Sequence, residues 1–111
     1  MSLNIKDLKY LLALSEHQHF AKAAEACFIS QPALSIQLKK IEAFLGIQLF
    51  ERTNKRVRVT LAGKKIIEHA NQVLMSFNAM KNAAKLAQNP FENPLSLLEV
   101  IIANEAIAKL R

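Results

Sequence analysis

The run Ser30-Gln31-Pro32-Ala33-Leu34-Ser35 combines the features that begin a helix. The Ser30 hydroxyl can cap the free N–H groups of a first turn, and Pro32 fits within that turn, where a missing N–H costs little. Apolar residues then recur at spacings of four, three and four until Gly46, a C-terminal stop. These apolar residues are Leu34, Leu38, Ile41 and Leu45. The pattern predicts a helix over residues 30–45 with one buried face.

Two further helices are predicted before this one. Residues 5–15 carry an apolar stripe at helical spacing, with Asn4 as the N-cap. Residues 20–26 are rich in alanine, and such small side chains would allow another helix to approach closely. A short turn, Cys27-Phe28-Ile29, separates this segment from the third helix. Two helices that meet around a short turn predict a helix-turn-helix over about residues 20–39.

The sequence pattern changes after the third helix. Leu49-Phe50 and Val57-Arg58-Val59-Thr60 predict two short strands. Residues 53–56 are polar and predict the turn between the strands, so the hairpin covers about residues 48–60. A hairpin that follows a helix-turn-helix is typical of a wing. Residues 1–63 are therefore predicted to form a winged helix-turn-helix of three helices and a two-stranded wing.

The positive charge of the chain is concentrated in this hairpin and just beyond it. The formal net charge is +6, from 15 Lys and Arg residues and 9 Asp and Glu residues. Between positions 51 and 65 the only acidic residue is Glu51, against six basic ones. The six are Arg52, Lys55, Arg56, Arg58, Lys64 and Lys65. A local excess of this kind predicts a surface for a polyanion such as DNA.

A long helix is predicted after the hairpin. Thr60 is placed to cap it, and seven apolar residues then repeat in strict four-three alternation. They are Ile66, Ala70, Val73, Phe77, Met80, Ala84 and Ala87. A seam of this length without an internal partner normally packs against a second copy of the same helix. We therefore expect residues 61–89 to be a dimerisation helix, in a homodimer of mostly α fold.

The last segment, residues 90–111, is expected to be a linker and a short tail. Asn89-Pro90 should end the long helix, because a residue before proline is biased away from the helical conformation. Residues 90–94 contain two prolines and predict a linker. Ser96 and Glu99 have capping-box spacing, which predicts a short helix beyond the linker.

The sequence offers little that would support catalysis or a metal site. It has no visible Ser/His/Asp set, paired-carboxylate site or glycine-rich phosphate loop, so neither enzyme activity nor a cofactor is expected. His17, His19 and Cys27 match no common zinc spacing, so we expect no metal. Cys27 is the only cysteine. Without a signal peptide or a membrane-spanning apolar run, a cytoplasmic protein with no membrane partner is expected.

Several motifs, in this order, resemble the N-terminal domain of LysR-type transcriptional regulators. They are Ser30-Gln31-Pro32-Ala33-Leu34-Ser35, Leu45-Gly46, Leu49-Phe50-Glu51-Arg52 and Thr60-Leu61-Ala62-Gly63. The resemblance covers about residues 5–88. Other segments resemble the peroxide-responsive OxyR branch of the family. They are Asn4-Ile5-Lys6-Asp7-Leu8, Ala13-Leu14-Ser15-Glu16-His17 and Glu51-Arg52-Thr53.

The resemblance implies a bacterial, sequence-specific DNA-binding protein that acts as a dimer on an imperfect inverted repeat. A higher oligomer is implied for a full-length form. In this family a much larger C-terminal domain binds the effector, and residues 97–111 no longer follow the family pattern. We therefore expect the effector domain to be absent. In the OxyR branch the redox-active cysteines lie in that domain, and we expect Cys27 to be a small buried hydrophobe rather than a reactive thiol.

The resemblance also implies roles for individual side chains. The residues expected at base edges are Gln31, Pro32, Ala33, Ser35 and Ile36. Their chemistry agrees, because glutamine can bond adenine, serine can bond either partner, and the apolar residues can meet a thymine methyl group. The residues expected at the DNA backbone or minor groove are Lys22, Ser30, Lys39, Arg52, Lys55, Arg56 and Arg58. Lys55 and Arg56, at the wing tip, are the candidates for the minor groove.

Other interpretations stay open at this point. Gln31 and Ser35 could be only the solvated first turn of a helix, and Arg52 could pair with Glu51 or Glu42 rather than a phosphate. The chain could act as a truncated regulator that pairs with a full-length relative and inhibits it. It could also bind polyanions or membrane surfaces without sequence preference, through the basic wing alone.

Overall fold

The computed structural model describes residues 2–53, 56–88 and 94–109. In these ranges the chain forms helices and a two-stranded antiparallel sheet. The elements are α1 (Ile5–His17), α2 (Phe20–Ala26), α3 (Gln31–Leu45), β1 (Phe50–Thr53), β2 (Arg56–Val59), α4 (Leu61–Gln88) and α5 (Pro94–Lys109). The chain divides into two units, Met1–Leu74 and Met75–Arg111. The predicted fold class is confirmed: three helices, a two-stranded wing and then a long helix.

The N-terminus of α1 is closed by a reciprocal capping box. The Asn4 side chain accepts a hydrogen bond from the Asp7 N–H at 3.0 Å, and the Asp7 carboxylate accepts one from the Asn4 N–H at 3.0 Å. Asn4 is the predicted cap, whereas α1 continues past its predicted end at residue 15 to His17. Asp7 is buried and also accepts a hydrogen bond from the Gln37 amide at 3.2 Å. The start of α1 is thereby joined to α3.

The third helix begins and ends where the sequence predicts. The Ser30 hydroxyl accepts a hydrogen bond from the Ala33 N–H at 3.2 Å, and Pro32 lies in the first turn. Gly46 ends the helix in the left-handed conformation, with φ 74°, which side-chain-bearing residues rarely adopt. One face of α3 is buried, and the helix contacts both α1 and α2. The predicted cap, stop and buried face are confirmed.

The apolar core of the first unit joins the three N-terminal helices, the sheet and the beginning of α4. Its buried members in the described residues are Leu8, Leu11, Leu14, Phe20, Ala23, Ala24, Leu34, Leu38, Ile41, Leu49, Phe50, Val57, Ala70 and Leu74. The sheet contributes through one face only, because side chains alternate along a strand. The core is therefore continuous from the helix-turn-helix into the wing.

The strands of the wing are displaced from the predicted positions. Leu49 and Thr60 lie outside β1 and β2, although both were predicted to be strand residues. Thr60 leaves the sheet because it caps α4: its hydroxyl accepts a hydrogen bond from the Gly63 N–H at 2.9 Å. The same hydroxyl donates to the Gln48 carbonyl at 2.7 Å. The Thr60 hydroxyl therefore both caps α4 and binds the chain segment that leads into β1.

The two strands pair in a short antiparallel ladder. Thr53 pairs with Arg56 at the end of the ladder, so these two residues of the predicted turn belong to the strands. Asn54 and Lys55 lie outside the described residues. β2 is also tied to α1, because the Val57 N–H donates to the carbonyl of Gln18, the residue that ends α1, at 3.0 Å. The wing is therefore held at both strands.

The two C-terminal helices differ in how well the sequence predicts them. α4 is described from Leu61 to Gln88, and its predicted end at Asn89-Pro90 lies outside the described residues. Of the predicted linker, residues 90–93 lie outside the described part of the chain, whereas Pro94 begins α5. The predicted helix beyond the linker is present as α5 (Pro94–Lys109), but Ser96 is not its cap, because Ser96 lies inside the helix. A proline suits the first position of a helix, where its missing N–H has no partner to lose.

Gly63 marks a close approach between α4 and the chain entering β1, and this predicts a strong effect of substitution. A Cβ at Gly63 would lie 2.5 Å from the Leu49 carbonyl oxygen, which itself accepts a hydrogen bond from the Thr60 N–H at 2.9 Å. We expect Gly63→Ala to lower the free energy of unfolding by about 1–3 kcal/mol in urea denaturation. Ala62→Ser, at an exposed neighbour, should change it by less than about 0.5 kcal/mol. Equal stability of Gly63→Ala and wild type would contradict this packing.

Candidate nucleic-acid interface

The first turns of α3 form one exposed surface. Gln31 and Pro32 are exposed, and Ala33 and Ser35 are partly exposed beside them. Ile36 is 55% exposed, which is an unusual environment for a large apolar side chain. Because the opposite face of α3 is held in the core, these side chains cannot rotate into the domain. The structure therefore brings together all five residues predicted to contact bases.

Three of the residues predicted at the DNA backbone are exposed. Lys22 on α2 and Lys39 on α3 are exposed, and Ser30 is exposed at the N-terminus of α3. The Ser30 oxygen accepts the capping hydrogen bond, which leaves its O–H free to donate to a phosphate. A helix N-terminus itself favours anions through its free N–H groups and the helix dipole. Ser30, as the N-cap, and Lys39 thus belong to the same helix as the residues predicted to contact bases, and Lys22 lies on the helix before it.

The wing presents two different faces because side chains alternate along each strand. Arg56 and Arg58 are exposed on β2, and the ladder pairs them with Thr53 and Glu51 on β1. Opposite charges that face each other across a ladder attract, so Glu51 partly balances Arg58. Arg56 has a threonine opposite it instead. Lys55, the other residue predicted at the wing tip, lies outside the described residues.

Arg52 has a different environment from the other wing arginines. It shares a strand face with the buried Phe50 rather than with Glu51, because the two positions are two residues apart. Its guanidinium carbon lies 4.0 Å from the centre of the Phe20 ring, and its Nη2 donates to the Ser35 hydroxyl at 2.9 Å. The sequence leaves two alternatives for Arg52, a phosphate contact or pairing with a glutamate. The structure adds a third, which is contact with Phe20 and Ser35. Arg52 connects the wing to both helices of the helix-turn-helix.

Glu42 is a structural residue of the interface that the sequence patterns missed. Its carboxylate accepts hydrogen bonds from the Leu49 N–H at 2.6 Å and the Phe50 N–H at 3.3 Å. These bonds join the last turn of α3 to the first residue of the wing. The sequence gives no local signal for them, because the partners are backbone groups seven and eight residues away across a turn. Glu42 therefore fixes the wing relative to α3.

Cys27 lies in the turn region of the helix-turn-helix and is partly buried. Burial raises the pKa of the Cys27 thiol, because desolvation disfavours the thiolate. A protonated thiol is a poor nucleophile and a poor metal ligand. In residues 2–53, 56–88 and 94–109, no three His, Cys, Asp or Glu side chains are grouped to hold a metal. The same residues include no helix with the length and apolarity to span a bilayer.

The predicted seam of α4 is divided between the core and the surface. Ala70 is only 3% exposed within its own domain, and Ile66 is partly buried against the same core. Ala70 therefore has little surface left for a partner, contrary to the prediction, because the first turns of α4 close the core of the first unit. The seam residues with more exposure are Val73, Phe77, Met80, Ala84 and Ala87. The Lys81 ammonium lies 5.1 Å from the Phe77 ring centre.

This arrangement of a capped helix, a basic wing and a long following helix matches a known family. Residues 5–64 match the family described as bacterial regulatory helix-turn-helix protein, lysR family. The chain belongs to the LysR family. It contains the helix-turn-helix DNA-binding domain of that family, in its winged form. The resemblance predicted from the motifs between Ser30 and Gly63 is confirmed.

Relatives in the OxyR branch are similar over most of this chain. A hydrogen peroxide-inducible genes activator of Pectobacterium carotovorum is 43% identical over 95 residues, which cover 86% of this chain and 32% of the relative. The DNA-binding transcriptional dual regulator OxyR of Escherichia coli K12 is 42% identical over 95 residues, which cover 86% of this chain and 31% of the relative. The chain thus spans about a third of the length of these relatives.

Solved structures agree with the family in both fold and sequence. A full-length OxyR variant of Pseudomonas aeruginosa is 38% identical with a TM-score of 0.71, covering 75% of this chain and 28% of its own. The BenM DNA-binding domain in complex with benA site 1 DNA is 35% identical with a TM-score of 0.74 and covers 78% of this chain and 97% of its own. The predicted resemblance to the OxyR branch is confirmed.

Proposed function

We propose that this chain binds specific DNA sequences by placing the first turns of α3 in the major groove. The observation that carries the proposal is the exposed group from Gln31 to Ile36, which is fixed by a buried helix face and lies beside a wing with a basic outer face. A related domain of the same fold has been solved bound to DNA. The place of action would be the bacterial cytoplasm, where such DNA is found.

The side chains on this surface suit the edges of base pairs. The Gln31 amide can pair in bidentate fashion with an adenine, and Ser35 can exchange a hydrogen bond with several base atoms. Pro32, Ala33 and Ile36 can contact thymine methyl groups. Ile36 also gains from binding, because contact with DNA removes its exposed apolar surface from water. The interface therefore favours sites with A·T pairs at some of the contacted positions.

The basic residues would contribute affinity without sequence preference. Phosphate contacts by Lys and Arg release counterions, which makes binding dependent on salt. Lys22, Lys39 and Arg58 are placed for phosphates, and Ser30 can donate to one at the N-terminus of α3. Lys55 and Arg56 are proposed to enter the adjacent minor groove, where a narrow groove attracts positive side chains. These contacts would also orient α3 on the duplex.

We infer that two copies pair through α4 and bind an imperfect inverted repeat. Met80 is 62% exposed, and exposed apolar residues that recur at helical spacing favour helix pairing. A two-fold dimer would present two α3 helices to half-sites about one helical turn apart. The symmetry of the protein would then match the symmetry of the operator.

A second candidate function uses the same exposed residues of α4. Because a related helix could replace the second copy, the chain could pair with a relative and inhibit it. Two results together would favour this function over direct DNA binding. The chain would co-purify in mixed dimers with a full-length relative, and the isolated chain would shift no operator DNA in a gel-retardation assay. A competition experiment tests a third possibility, nonspecific polyanion binding. That possibility would be favoured if random DNA or anionic vesicles displaced labelled operator DNA from the protein as effectively as unlabelled operator DNA does.

Gln31→Ala should reduce operator binding by about 1–3 kcal/mol and relax preference at one base pair, because the amide contributes a bidentate contact. The measurement is the dissociation constant on the operator and on random DNA at one salt concentration. Gln72→Ala, an exposed glutamine on α4, is the matched control and should leave both constants unchanged. Equal losses on operator and random DNA would show that Gln31 does not contact a base.

Lys55→Ala combined with Arg56→Ala should weaken binding to every sequence and flatten its salt dependence. The slope of log K against log salt should fall by about 0.9 for each phosphate contact removed. Lys6→Ala combined with Lys9→Ala removes the same charge from exposed positions on α1 and serves as the control. A similar loss of slope in both double variants would argue against a specific role of the wing tip.

Met80→Glu should raise the dissociation constant of the dimer at least about tenfold, because each dimer would then bury two carboxylates where it buried two apolar side chains. Asn82→Glu introduces the same charge on the other side of α4 and should leave the dimer intact. Sedimentation equilibrium measures both constants. A Met80→Glu protein that dimerises as tightly as the Asn82→Glu protein would place the interface elsewhere.

A further inference from the structure

We propose that Arg52 sets the base preference of Ser35 without contacting DNA. The proposal rests on the proposed function, because it concerns how one side chain of α3 recognises a base. Arg52 connects three elements. It belongs to β1, its guanidinium lies over the Phe20 ring of α2, and it donates a hydrogen bond to Ser35 of α3. Arg52 is thereby a positioning residue rather than one more phosphate contact.

The guanidinium is held in place before DNA arrives. Its carbon lies 4.0 Å from the Phe20 ring centre, within the range of a cation–π contact, and Phe20 is itself buried in the core. A planar guanidinium can lie over a ring and still direct its N–H groups outward in its own plane. One of these groups is the Nη2 donor that reaches Ser35 at 2.9 Å. Although Arg52 is exposed, the contact with the buried ring and the hydrogen bond to Ser35 together restrain its guanidinium.

This hydrogen bond affects whether the Ser35 hydroxyl acts toward a base as a donor or as an acceptor. A serine hydroxyl has one O–H donor and two acceptor lone pairs. Its oxygen accepts from the charged Arg52, and a charged donor makes a short, strong hydrogen bond. Accepting such a bond polarises the hydroxyl and makes its own O–H a better donor. Ser35 is partly exposed, so this O–H remains able to reach a base edge.

A serine biased toward donation distinguishes between bases in the major groove. Guanine offers N7 and O6 as acceptors, adenine offers N7, and thymine offers O4. Cytosine offers its amino group, which is a donor and cannot accept from the serine O–H. We infer that Ser35 prefers a base that offers an acceptor at its contact position, which is guanine, adenine or thymine, and disfavours cytosine. Without Arg52, both lone pairs of the hydroxyl would be available to accept and its O–H would no longer be polarised, so this preference would weaken.

The test compares two substitutions at Arg52 with the same two at Arg58. Arg52→Lys keeps the charge but loses the planar stack, whereas Arg52→Met keeps apolar contact with Phe20 but loses the donor. Arg58 lies on the outer face of the wing, so Arg58→Lys and Arg58→Met are matched controls. Binding would be measured by fluorescence anisotropy on the preferred site and on versions with each base at every position. Thermal melting would confirm that each variant is folded.

Both Arg52 variants should reduce the discrimination against cytosine at one position by roughly fivefold or more, as Ser35→Ala does. Adding Arg52→Met to Ser35→Ala should give no further loss of discrimination, because the two residues act through one hydroxyl. Arg52→Lys should keep the wild-type salt slope. The Arg58 variants should change affinity alike on all sequences.

Two results would overturn the proposal, and they have different meanings. If the wild type discriminates but Arg52→Met keeps its base preference and lowers the salt slope by about one, Arg52 is a phosphate contact. The proposed function would then stand without this inference. If the wild type shows no preference for any sequence, the proposed function fails and the role of Arg52 in base preference fails with it.

Discussion

The burial of one face of α3 is the constraint on which the rest of the structure depends. Leu34, Leu38 and Ile41 are packed in the core, so the helix has a single rotation about its axis. That rotation decides that Gln31 and Ile36 are exposed. The start of the helix is equally restricted, because Ser30 caps it with its own side chain. A DNA-contacting helix needs both restrictions, since a shift of one residue would turn its side chains by about 100°.

The second requirement is that the wing keeps one position relative to α3. Three kinds of contact achieve this, at different points of the hairpin. Glu42 holds the two backbone N–H groups where β1 begins, and Thr60 ties the end of the hairpin to Gln48. Arg52 adds a contact to Ser35 within the exposed surface itself. These contacts therefore join the basic wing to the α3 surface that is proposed to contact bases, so that proposed phosphate contacts would orient those side chains.

The features that the sequence predicts well are local ones. The caps at Asn4 and Ser30 and the stop at Gly46 involve neighbouring residues, and the apolar spacing in α3 identifies its buried face. The exposed group on α3 follows directly from that face. The charge of the wing can likewise be counted from the sequence, although the positions of its strands were displaced by the cap at Thr60.

The features that the sequence does not predict depend on contacts between distant segments. Nothing near Arg52 in the chain identifies Phe20 as its partner, although the alternation from Phe50 could have placed its side chain on the inner face of the wing. Ala70 fits the spacing of the predicted seam, yet its side chain is buried in the core of its own domain. The sequence predicts a linker up to residue 94, whereas Pro94 belongs to α5, because a proline suits both a linker and the first turn of a helix.

The central claim is that a fixed α3 surface, presented twice by a dimer, recognises a defined DNA sequence. Selection of bound DNA from a random pool by the purified chain, followed by hydroxyl-radical footprinting, tests this most directly. The account predicts an enriched imperfect inverted repeat, with protected half-sites about one helical turn, or roughly 10 base pairs, apart on one face of the duplex. A bound pool with no enriched motif, and protection that varies from one DNA to the next, would contradict it.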